Sequence, residues 1–225
     1  MDEVLVRAES LTRVYGEGDE AVRAVSGATF SVGAGRRIAL VGSSGSGKST
    51  LLLLMAGLER ATSGTVTWPS IGEAGALRPG PVAIAFQGPS LLPPLNVQEN
   101  VALPLLLQGV AEDEALEAAR TALDRFELDG VAERLPEEIS GGQMQRAGLA
   151  RAIVGEPRLV LADEPTGQLD HEAAERAMST LLEVVASIDA TLVVATHDTA
   201  VADRMDERWL IEDGELRTEA SRRSA

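Results

Sequence analysis

The stretch RIALVGSSGSGKSTLLLLMAGL, residues 37–58, decides the fold class. It opens with an apolar run of strand length, continues with a turn of glycine and serine, and ends in an apolar helical pattern that starts at Lys48. The turn fits GxxxxGK[ST] at every fixed position. Its glycines let the backbone wrap around phosphate oxygens, and a helix N-terminus adds aligned N–H donors. The stretch therefore predicts a nucleotide phosphate site between a strand and a helix.

Lys48 is the only lysine of the chain, and every other basic residue apart from histidine is arginine. An ammonium is a compact point charge, whereas a guanidinium is a wide planar fork. We therefore expect Lys48 to reach the β- and γ-phosphates and the Ser49 hydroxyl to bind Mg²⁺. The alternative is a simple glycine-serine turn, which the strand and helix patterns on its two sides disfavour.

The rest of the chain alternates short apolar runs with helical patterns, which is typical of an α/β fold with a largely parallel sheet. The predicted strands are Val4–Ala8, Ala28–Val32, Arg37–Val41, Thr65–Trp68, Val82–Phe86, Leu159–Ala162, Thr191–Ala195 and Trp209–Glu212. The predicted helices are Lys48–Leu58, Glu112–Phe126, Gly142–Val154, Glu172–Ser187 and Thr199–Met205.

The middle of the chain differs in character. Residues 91–155 contain no convincing strand, begin with a proline-rich run and continue with two helical patterns. We interpret them as a helical lobe inserted into one α/β domain, whose core is formed by residues 1–90 and 156–217. Residues 218–225 form the tail.

Composition limits the partners. The formal net charge is −15, which argues against nucleic acid or anionic lipid as a direct partner, because binding to either depends on neutralising phosphate. The chain has no cysteine, and its N-terminus lacks the apolar region of a signal peptide. No apolar run approaches the ~20 residues that span a bilayer. We expect a cytoplasmic protein that reaches the membrane only through a partner.

Two later apolar strands end in polar groups. The run LVLA ends in Asp163 and Glu164, at the kind of strand end where an α/β sheet presents ligands. We expect Asp163 to hold Mg²⁺ and Glu164 to take a proton from the attacking water; the alternative is an acidic strand end exposed to solvent. His197 follows the last of these strands and is placed to contact the γ-phosphate, although a lone histidine is usually structural.

The segment ISGGQ, residues 139–143, opens a predicted helix. Ser140 is a plausible N-cap, and the two glycines leave the helix end bare, so the segment is a second potential anion site. An ordinary helix start is the alternative, and the spacing alone does not decide between them.

In this order, the motifs GSSGSGKS, Gln87, ISGGQ, LVLADE, TGQLD and His197 resemble the ATP-binding subunit of ABC transporters, over residues 15 to about 216. The resemblance implies a RecA-like P-loop NTPase core with a mostly parallel sheet, an antiparallel β edge and an inserted α-helical subdomain. It also implies an ATPase with ATP and Mg²⁺ as its ligands.

The family's roles carry over by position. Tyr15 matches the aromatic residue that stacks on adenine, Gln87 the glutamine that contacts Mg²⁺ and water, and Asp170 the aspartate that links two ATP sites. The resemblance implies that two copies sandwich two ATP head to tail and drive a separate membrane permease. The ISGGQ segment, Ser140, Gly141, Gly142 and Gln143, would then close over ATP held by the second copy. The phosphate-binding set is Gly42, Ser43, Ser44, Gly45, Ser46, Gly47, Lys48, Ser49 and Thr50.

Two stretches favour one branch of the family. ADEPTGQLD has Gly167 where many importer subunits have serine, and SLLPPLNVQENVALPLLLQG resembles subunits that serve macrolide exporters, lipoprotein-releasing complexes and the cell-division ATPase. The resemblance implies an exporter or mechanotransmission system. An importer subunit and a regulatory cell-division-type ATPase that transports nothing remain the alternatives.

Other ATPase classes fit less well. Soluble DNA-repair relatives insert hundreds of coiled-coil residues between the glutamine and the signature, whereas about 52 residues separate Gln87 from Ser140 here. A pure nucleotide sensor would be expected to lack Glu164 or His197. The signature departs mildly from the family pattern at Met144, which we expect to point away from nucleotide.

Overall fold

The computed structural model describes residues 3–88 and 90–219, except for the side chains of Asp19 and Glu219. Its strands are β1 Val4–Tyr15, β2 Val22–Gly33, β3 Arg37–Val41, β4 Ser63–Thr67, β5 Val82–Ala85, β6 Leu159–Asp163, β7 Thr191–Thr196, β8 Glu207–Glu212 and β9 Glu215–Glu219. Its helices are α1 Lys48–Met55, α2 Val97–Leu107, α3 Glu112–Arg125, α4 Gly141–Ile153, α5 His171–Ser187 and α6 Thr199–Ala202.

The described residues form two compact units. The first runs to Leu77 and resumes at Thr191, and the second comprises Arg78–Ala190. The predicted helical segment, residues 91–155, lies within the second unit together with β5, β6 and α5.

The first unit contains an antiparallel sheet in the order β2-β1-β4 and a group of strands in the order β7-β3-β8-β9. Strand β3 is parallel to both β7 and β8, whereas β9 pairs with β8 antiparallel. Strands β3 and β7 are buried along most of their length, which is why their sequences are continuous apolar runs rather than alternating ones. The phosphate loop therefore starts from a rigid strand.

The second unit combines the parallel pair β5 and β6 with helices α2 to α5. Its apolar core includes Val101, Leu123, Phe126, Leu161 and Leu181, all essentially buried. This core fixes α4, whose first turn carries the ISGGQ segment, and β6, whose end carries the two carboxylates.

The sequence prediction missed helix α2, which occupies part of the proline-rich run. Pro104 lies inside this helix, at a position where proline usually breaks or kinks a helix. Asn96 caps the helix and forms a capping box with Glu99, an N-x-x-E pattern that was present in the sequence. The fully buried Asn100 then holds the preceding turn by accepting from Leu92 N and donating to the Leu92 carbonyl.

Several predicted bounds also differ. Strands β1 and β2 are longer than predicted, and β9 was not predicted. Helix α1 ends at Met55 rather than Leu58, because Gly57 adopts a left-handed conformation with φ 64°. In the part of the chain that the structure describes, no helix combines the length and apolar character needed to cross a membrane.

Candidate functional site

The phosphate loop joins β3 to α1, and Lys48 is held inside it. The Lys48 side chain is 7% exposed. Its ammonium Nζ donates to the carbonyl oxygens of Gly42, at 2.8 Å, and Ser43, at 2.9 Å. The one lysine of the chain is thus folded across the turn, where a compact cation satisfies two backbone oxygens and remains beside the loop amides.

Two glycines of this loop are required by close backbone contacts. Gly47 has φ 108°, and a Cβ placed on it would lie 2.0 Å from the Ala24 carbonyl oxygen. A Cβ on Gly42 would lie 2.3 Å from the Ile211 carbonyl oxygen. Gly45, by contrast, has no described atom within 4 Å of its hypothetical Cβ, so this side of the turn is open to a ligand.

The N-terminus of α1 is left uncapped by side chains. Gly47 is its N-cap, and no described side chain accepts a hydrogen bond from the first turn. The buried Ser46 hydroxyl also has no hydrogen-bond partner within the described residues. Because the first N–H groups of a helix need acceptors, an anion such as a phosphate fits this position.

His197 follows β7, which lies beside β3 with Thr196 opposite Val41. Parallel strands bring their carboxyl ends to one edge, so His197 and the phosphate loop both start from the same edge of the first unit. The His197 side chain is exposed, and Asp198 caps the short helix α6 by accepting from Ala200 N at 2.8 Å. Ser49 is also exposed, on the first turn of α1.

Tyr15 is the last residue of β1, and its ring has defined neighbours. The Arg13 guanidinium lies 4.4 Å from the ring centroid, and the Tyr15 hydroxyl donates to Glu59 Oε2 at 3.1 Å. The pKa of the Glu59 carboxyl is lowered, chiefly by the backbone N–H of Arg60 and further by Tyr15 and Arg13. A base stacked on Tyr15 has to lie on the ring face opposite Arg13.

In the second unit, Gln87 and the two carboxylates follow neighbouring parallel strands. Ala85 at the end of β5 lies opposite Ala162 in β6. Gln87 is exposed two residues beyond β5, and Asp163 is the last residue of β6. The Glu164 side chain comes next. These three groups thus emerge at one edge of the second unit.

The backbone at Glu164 is unusual. Its φ is 46°, in the left-handed region that side chains other than glycine rarely adopt, and the residue is only 8% exposed. Its carbonyl oxygen accepts from Gln145 Nε2 at 2.8 Å and from Gly167 N at 3.1 Å. These two donors hold the conformation in which the carboxylate follows the strand end.

The ISGGQ segment forms the capped start of α4. Ser140 is the N-cap, as predicted: its Oγ accepts from Gln143 N at 3.2 Å, and Gln143 Oε1 accepts from Ser140 N at 2.8 Å. A Cβ on Gly141 would lie 3.2 Å from Gln168 Oε1, and one on Gly142 would lie 3.1 Å from Leu169 Cδ2. The two glycines therefore let this turn approach residues 168–169 closely.

Asp170 caps α5, its Oδ1 accepting from Ala173 N at 2.9 Å. This contact gives the side chain a local structural role next to residues 168–169. Its predicted link between two ATP sites remains a prediction.

The proposed magnesium ligands are Ser49, Gln87 and Asp163, a hydroxyl, an amide oxygen and a carboxylate. Hard oxygen donors of this kind suit Mg²⁺, which usually takes only one or two protein carboxylates and keeps several waters or phosphate oxygens. The donor chemistry fits the ion. Within residues 3–88 and 90–219, no group of three or more His, Cys, Asp or Glu side chains is arranged to hold a metal.

Sequence reasoning missed Gln145. It lies on α4, 7% exposed, on a helix face that continues through Leu149 and Ala152, both buried. A polar residue on an apolar helix stripe has to be hydrogen-bonded when it is buried. The sequence contained this signal, but its partners could not be identified without the fold.

Comparisons with known proteins identify the family. Residues 25–167 match the ABC transporter family. The chain belongs to that family. A lipoprotein-releasing system ATP-binding protein LolD from Legionella pneumophila (strain Paris) is 38% identical, covering 96% of this chain and 98% of the relative. A LolD from Gluconobacter oxydans is 41% identical, covering 94% of each.

The ATP-binding cassette MJ0796, solved as a dimer in a post-hydrolysis state with ADP and Pi, is similar with a TM-score of 0.89 and 32% identity, covering 97% of this chain and 99% of that one. The family, the fold class and the ATPase activity predicted from the sequence are thereby confirmed. This ABC protein is an ATP-binding, ATP-hydrolysing subunit of the transporter type.

Proposed function

We propose that this ABC ATPase dimerises head to tail around two ATP and drives a separate membrane permease of the exporter or mechanotransmission type. The observation that carries the nucleotide chemistry is the uncapped start of α1 with Lys48 folded across the loop. The relatives that are named for lipoprotein release support the branch.

In the proposed reaction, the loop amides and Lys48 bind the β- and γ-phosphates, and Tyr15 stacks on adenine. Ser49, Gln87 and Asp163 would hold Mg²⁺, which would supply charge neutralisation at the transferring phosphoryl group. Glu164 removes a proton from water as the water oxygen bonds to the γ-phosphorus. The bond between that phosphorus and the bridging oxygen breaks, and ADP and phosphate leave. His197 orients the γ-phosphate and the attacking water.

The second copy is proposed to contribute its α4 N-terminus. Ser140 and the amides of Gly141 and Gly142 would contact the γ-phosphate bound by the opposite chain. The dimeric cassette with ADP and Pi supports this arrangement by similarity. The two copies, each with a net charge of −15, repel each other, so we expect the dimer to strengthen as salt screens that charge.

A groove in the second unit is the proposed contact surface for the permease. It has a volume of about 350 Å³ and is lined largely by apolar groups of β5, α2 and the end of α4. Leu107 and Phe86 line it and are 66% and 41% exposed, which is unusual for large apolar side chains. An exposed apolar groove of this kind is typical of an interaction site.

Two arginines give this groove a positive charge. Arg151 is largely buried and donates to the carbonyl and hydroxyl oxygens of Ser90, and the Nη1 of Arg78 has no hydrogen-bond partner within the described residues. Burial alone lowers the pKa of both guanidinium groups, and no described carboxylate pairs with either. We therefore propose that the cytoplasmic segment of the permease brings an apolar side chain and a carboxylate.

This contact would place the protein at the cytoplasmic face of the membrane without inserting it. An importer permease, or a cell-division-type partner without a transported substrate, would use the same ATPase chemistry. The exporter and mechanotransmission branch predicts a partner with four transmembrane helices and a large extracytoplasmic domain.

The central test is Glu164→Gln. Because general-base catalysis contributes about 10²–10⁴-fold, this variant should lose hydrolysis by that factor while ATP still binds. Light scattering should detect a dimer only with ATP, and affinity purification from native membranes should recover the permease. Substantial residual turnover would contradict the role of Glu164, and a monomer at saturating ATP, with the permease present, would contradict the dimer.

The groove has its own test. Leu107→Glu should abolish co-purification of the permease, because it adds a buried charge to an apolar contact, and should leave the ATPase rate of the purified protein unchanged. Leu135→Glu is the matched control, since Leu135 is also exposed but does not line the groove. If both variants recovered the permease equally well, the permease would bind outside this groove.

A further inference from the structure

Gln145 connects α4 to the segment that carries Glu164. Its amide Nε2 donates to the Glu164 carbonyl oxygen at 2.8 Å, and its Oε1 accepts from Gln168 N at 2.8 Å. One buried side chain thus binds both ends of the turn that follows β6. Both partners are backbone groups. The contact therefore fixes the backbone of residues 164–168, not the rotamer of any side chain in that turn.

The turn needs this support because its backbone is strained. Glu164 has a left-handed φ of 46°, which clashes sterically for residues with a side chain and persists only where the surroundings enforce it. Gly167 N also donates to this carbonyl, but it belongs to the turn itself. Gln145 supplies the contact from a separate element.

The first turn of α4 lies against the same segment. The hypothetical Cβ positions of Gly141 and Gly142 come within 3.2 Å of Gln168 Oε1 and 3.1 Å of Leu169 Cδ2. The start of α4, the Gln145 amide and the 164–168 turn therefore form one packed structure. A displacement of α4 has to move that turn as well.

We propose that Gln145 is a positioning residue for ATP hydrolysis, which holds the backbone of Glu164 and the 164–168 turn at the orientation set by α4. It touches no nucleotide in this role. The inference rests on the proposed role of Glu164 as the general base. The alternative is that Gln145 is only a buried core residue whose hydrogen bonds are satisfied. Measuring the effect of a substitution on stability and on kcat distinguishes the two roles.

The first variant is Gln145→Met, which keeps the length of the side chain and removes both hydrogen bonds. A misplacement of about 1 Å can cost about 10²-fold in rate, so we expect kcat to fall by roughly 10- to 100-fold. The dissociation constant of a fluorescent ATP analogue, which depends on the other unit's phosphate loop, should change by less than about threefold. Unchanged kcat would overturn the inference.

Gln98→Met is the matched control. Gln98 lies on α2, and its Nε2 donates to the Leu116 carbonyl at 2.9 Å, so this variant also loses a bond from a glutamine amide to a backbone oxygen. We expect its kcat to stay within about twofold of the parent, as for substitutions outside the catalytic set. An equal loss of kcat in the two variants would reduce Gln145 to a structural residue.

A double variant tests whether Gln145 acts through Glu164. In the Glu164→Gln background, adding Gln145→Met should not slow single-turnover hydrolysis further, because residues that act as one unit are not additive. Multiplicative losses would overturn the inference. If Glu164→Gln alone hydrolyses ATP normally, the proposed role of Glu164 fails, and that failure is visible without any change at Gln145.

Gln145→Glu tests the same hydrogen bond if the methionine variant does not fold. The new carboxylate can accept from Gln168 N but cannot donate to the Glu164 carbonyl. When protonated it regains an O–H donor, and burial favours that protonation. The kcat of this variant relative to the parent should therefore rise as the pH is lowered from 8 to 6. A ratio that stays flat would contradict positioning by the hydrogen bond.

Discussion

Two helices of this protein begin with a glycine- and serine-rich turn, but the hydrogen bonding of their first N–H groups differs. At α1 the N-cap is Gly47, and no described side chain satisfies the first turn. At α4 the N-cap is Ser140, and a reciprocal capping box with Gln143 satisfies two N–H groups. Because each helix start has up to four unsatisfied donors, α1 keeps its donors for a ligand, whereas α4 partly satisfies its own.

The difference suits the two proposed roles. The α1 turn has a fixed shape, enforced by close contacts at Gly42 and Gly47 and by the folded Lys48, so its donors are already in place for phosphate. The α4 turn is stable by itself and rests on the 168–169 segment. It can be exposed to solvent between encounters with a second copy. The comparison predicts that substitutions at α1 affect ATP binding, whereas those at α4 affect hydrolysis.

The largest effect is expected from Gly47→Ala. The new Cβ would lie 2.0 Å from the Ala24 carbonyl oxygen, and φ is 108°. Strain and overpacking together should cost about 3 kcal/mol or more in the free energy of unfolding, and ATP binding should be lost. Urea denaturation and isothermal titration with ATP measure the two effects.

Gly148→Ala is the control within α4. Its hypothetical Cβ has no described atom within 4 Å, so the substitution should stabilise the helix by up to about 1 kcal/mol. If Gly47→Ala were as stable as the parent and bound ATP, the fixed shape of the α1 turn would be refuted.

Lys48→Arg should have the next largest effect. The positive charge is kept, but the wide guanidinium cannot donate to Gly42 and Ser43 from the same position. Losing the charged hydrogen-bond geometry costs about 1.5–3 kcal/mol, which is roughly 10- to 100-fold in the affinity for ATP. The change in affinity is measured by binding of a fluorescent nucleotide at fixed ionic strength.

The control for this substitution is Arg120→Lys, which changes the same pair of residue types at an exposed site on α3. It should leave ATP affinity unchanged. If Lys48→Arg bound ATP with the parent's affinity, the positive charge at position 48 would be sufficient and the shape of the lysine side chain would not matter.

The contrast between the two turns also separates what the sequence predicts from what it does not. The α1 turn could be predicted because its glycines, Lys48 and flanking apolar strand lie within one short segment. Strands β6 and β7 could be predicted because buried parallel strands are apolar on both faces. Helix α2 contains Pro104 and was not predicted, although its N-x-x-E capping pattern was present in the sequence.

The contacts around α4 could not be predicted in the same way. Ser140 was recognised as an N-cap from its position, but the Gln145 hydrogen bonds join residues 19 and 23 positions apart. The left-handed backbone at Glu164 leaves no mark in residue type, because glutamate is not selected for that conformation. Such features depend on packing between elements rather than on local propensity.

The smallest effect on folding is expected from Ser140→Ala, compared with Asn96→Ala at the start of α2. Each removes the N-cap side chain of a capping box, and each should lower the free energy of unfolding by about 1 kcal/mol. Only Ser140→Ala should also reduce steady-state ATP hydrolysis, by roughly tenfold if one hydrogen bond to the partner-bound γ-phosphate is lost. Its affinity for ATP should stay at the parent's value, since the phosphate loop is intact. Equal loss of hydrolysis in both variants would mean that the α4 turn contributes stability alone, because the cap at Asn96 contacts no proposed nucleotide position.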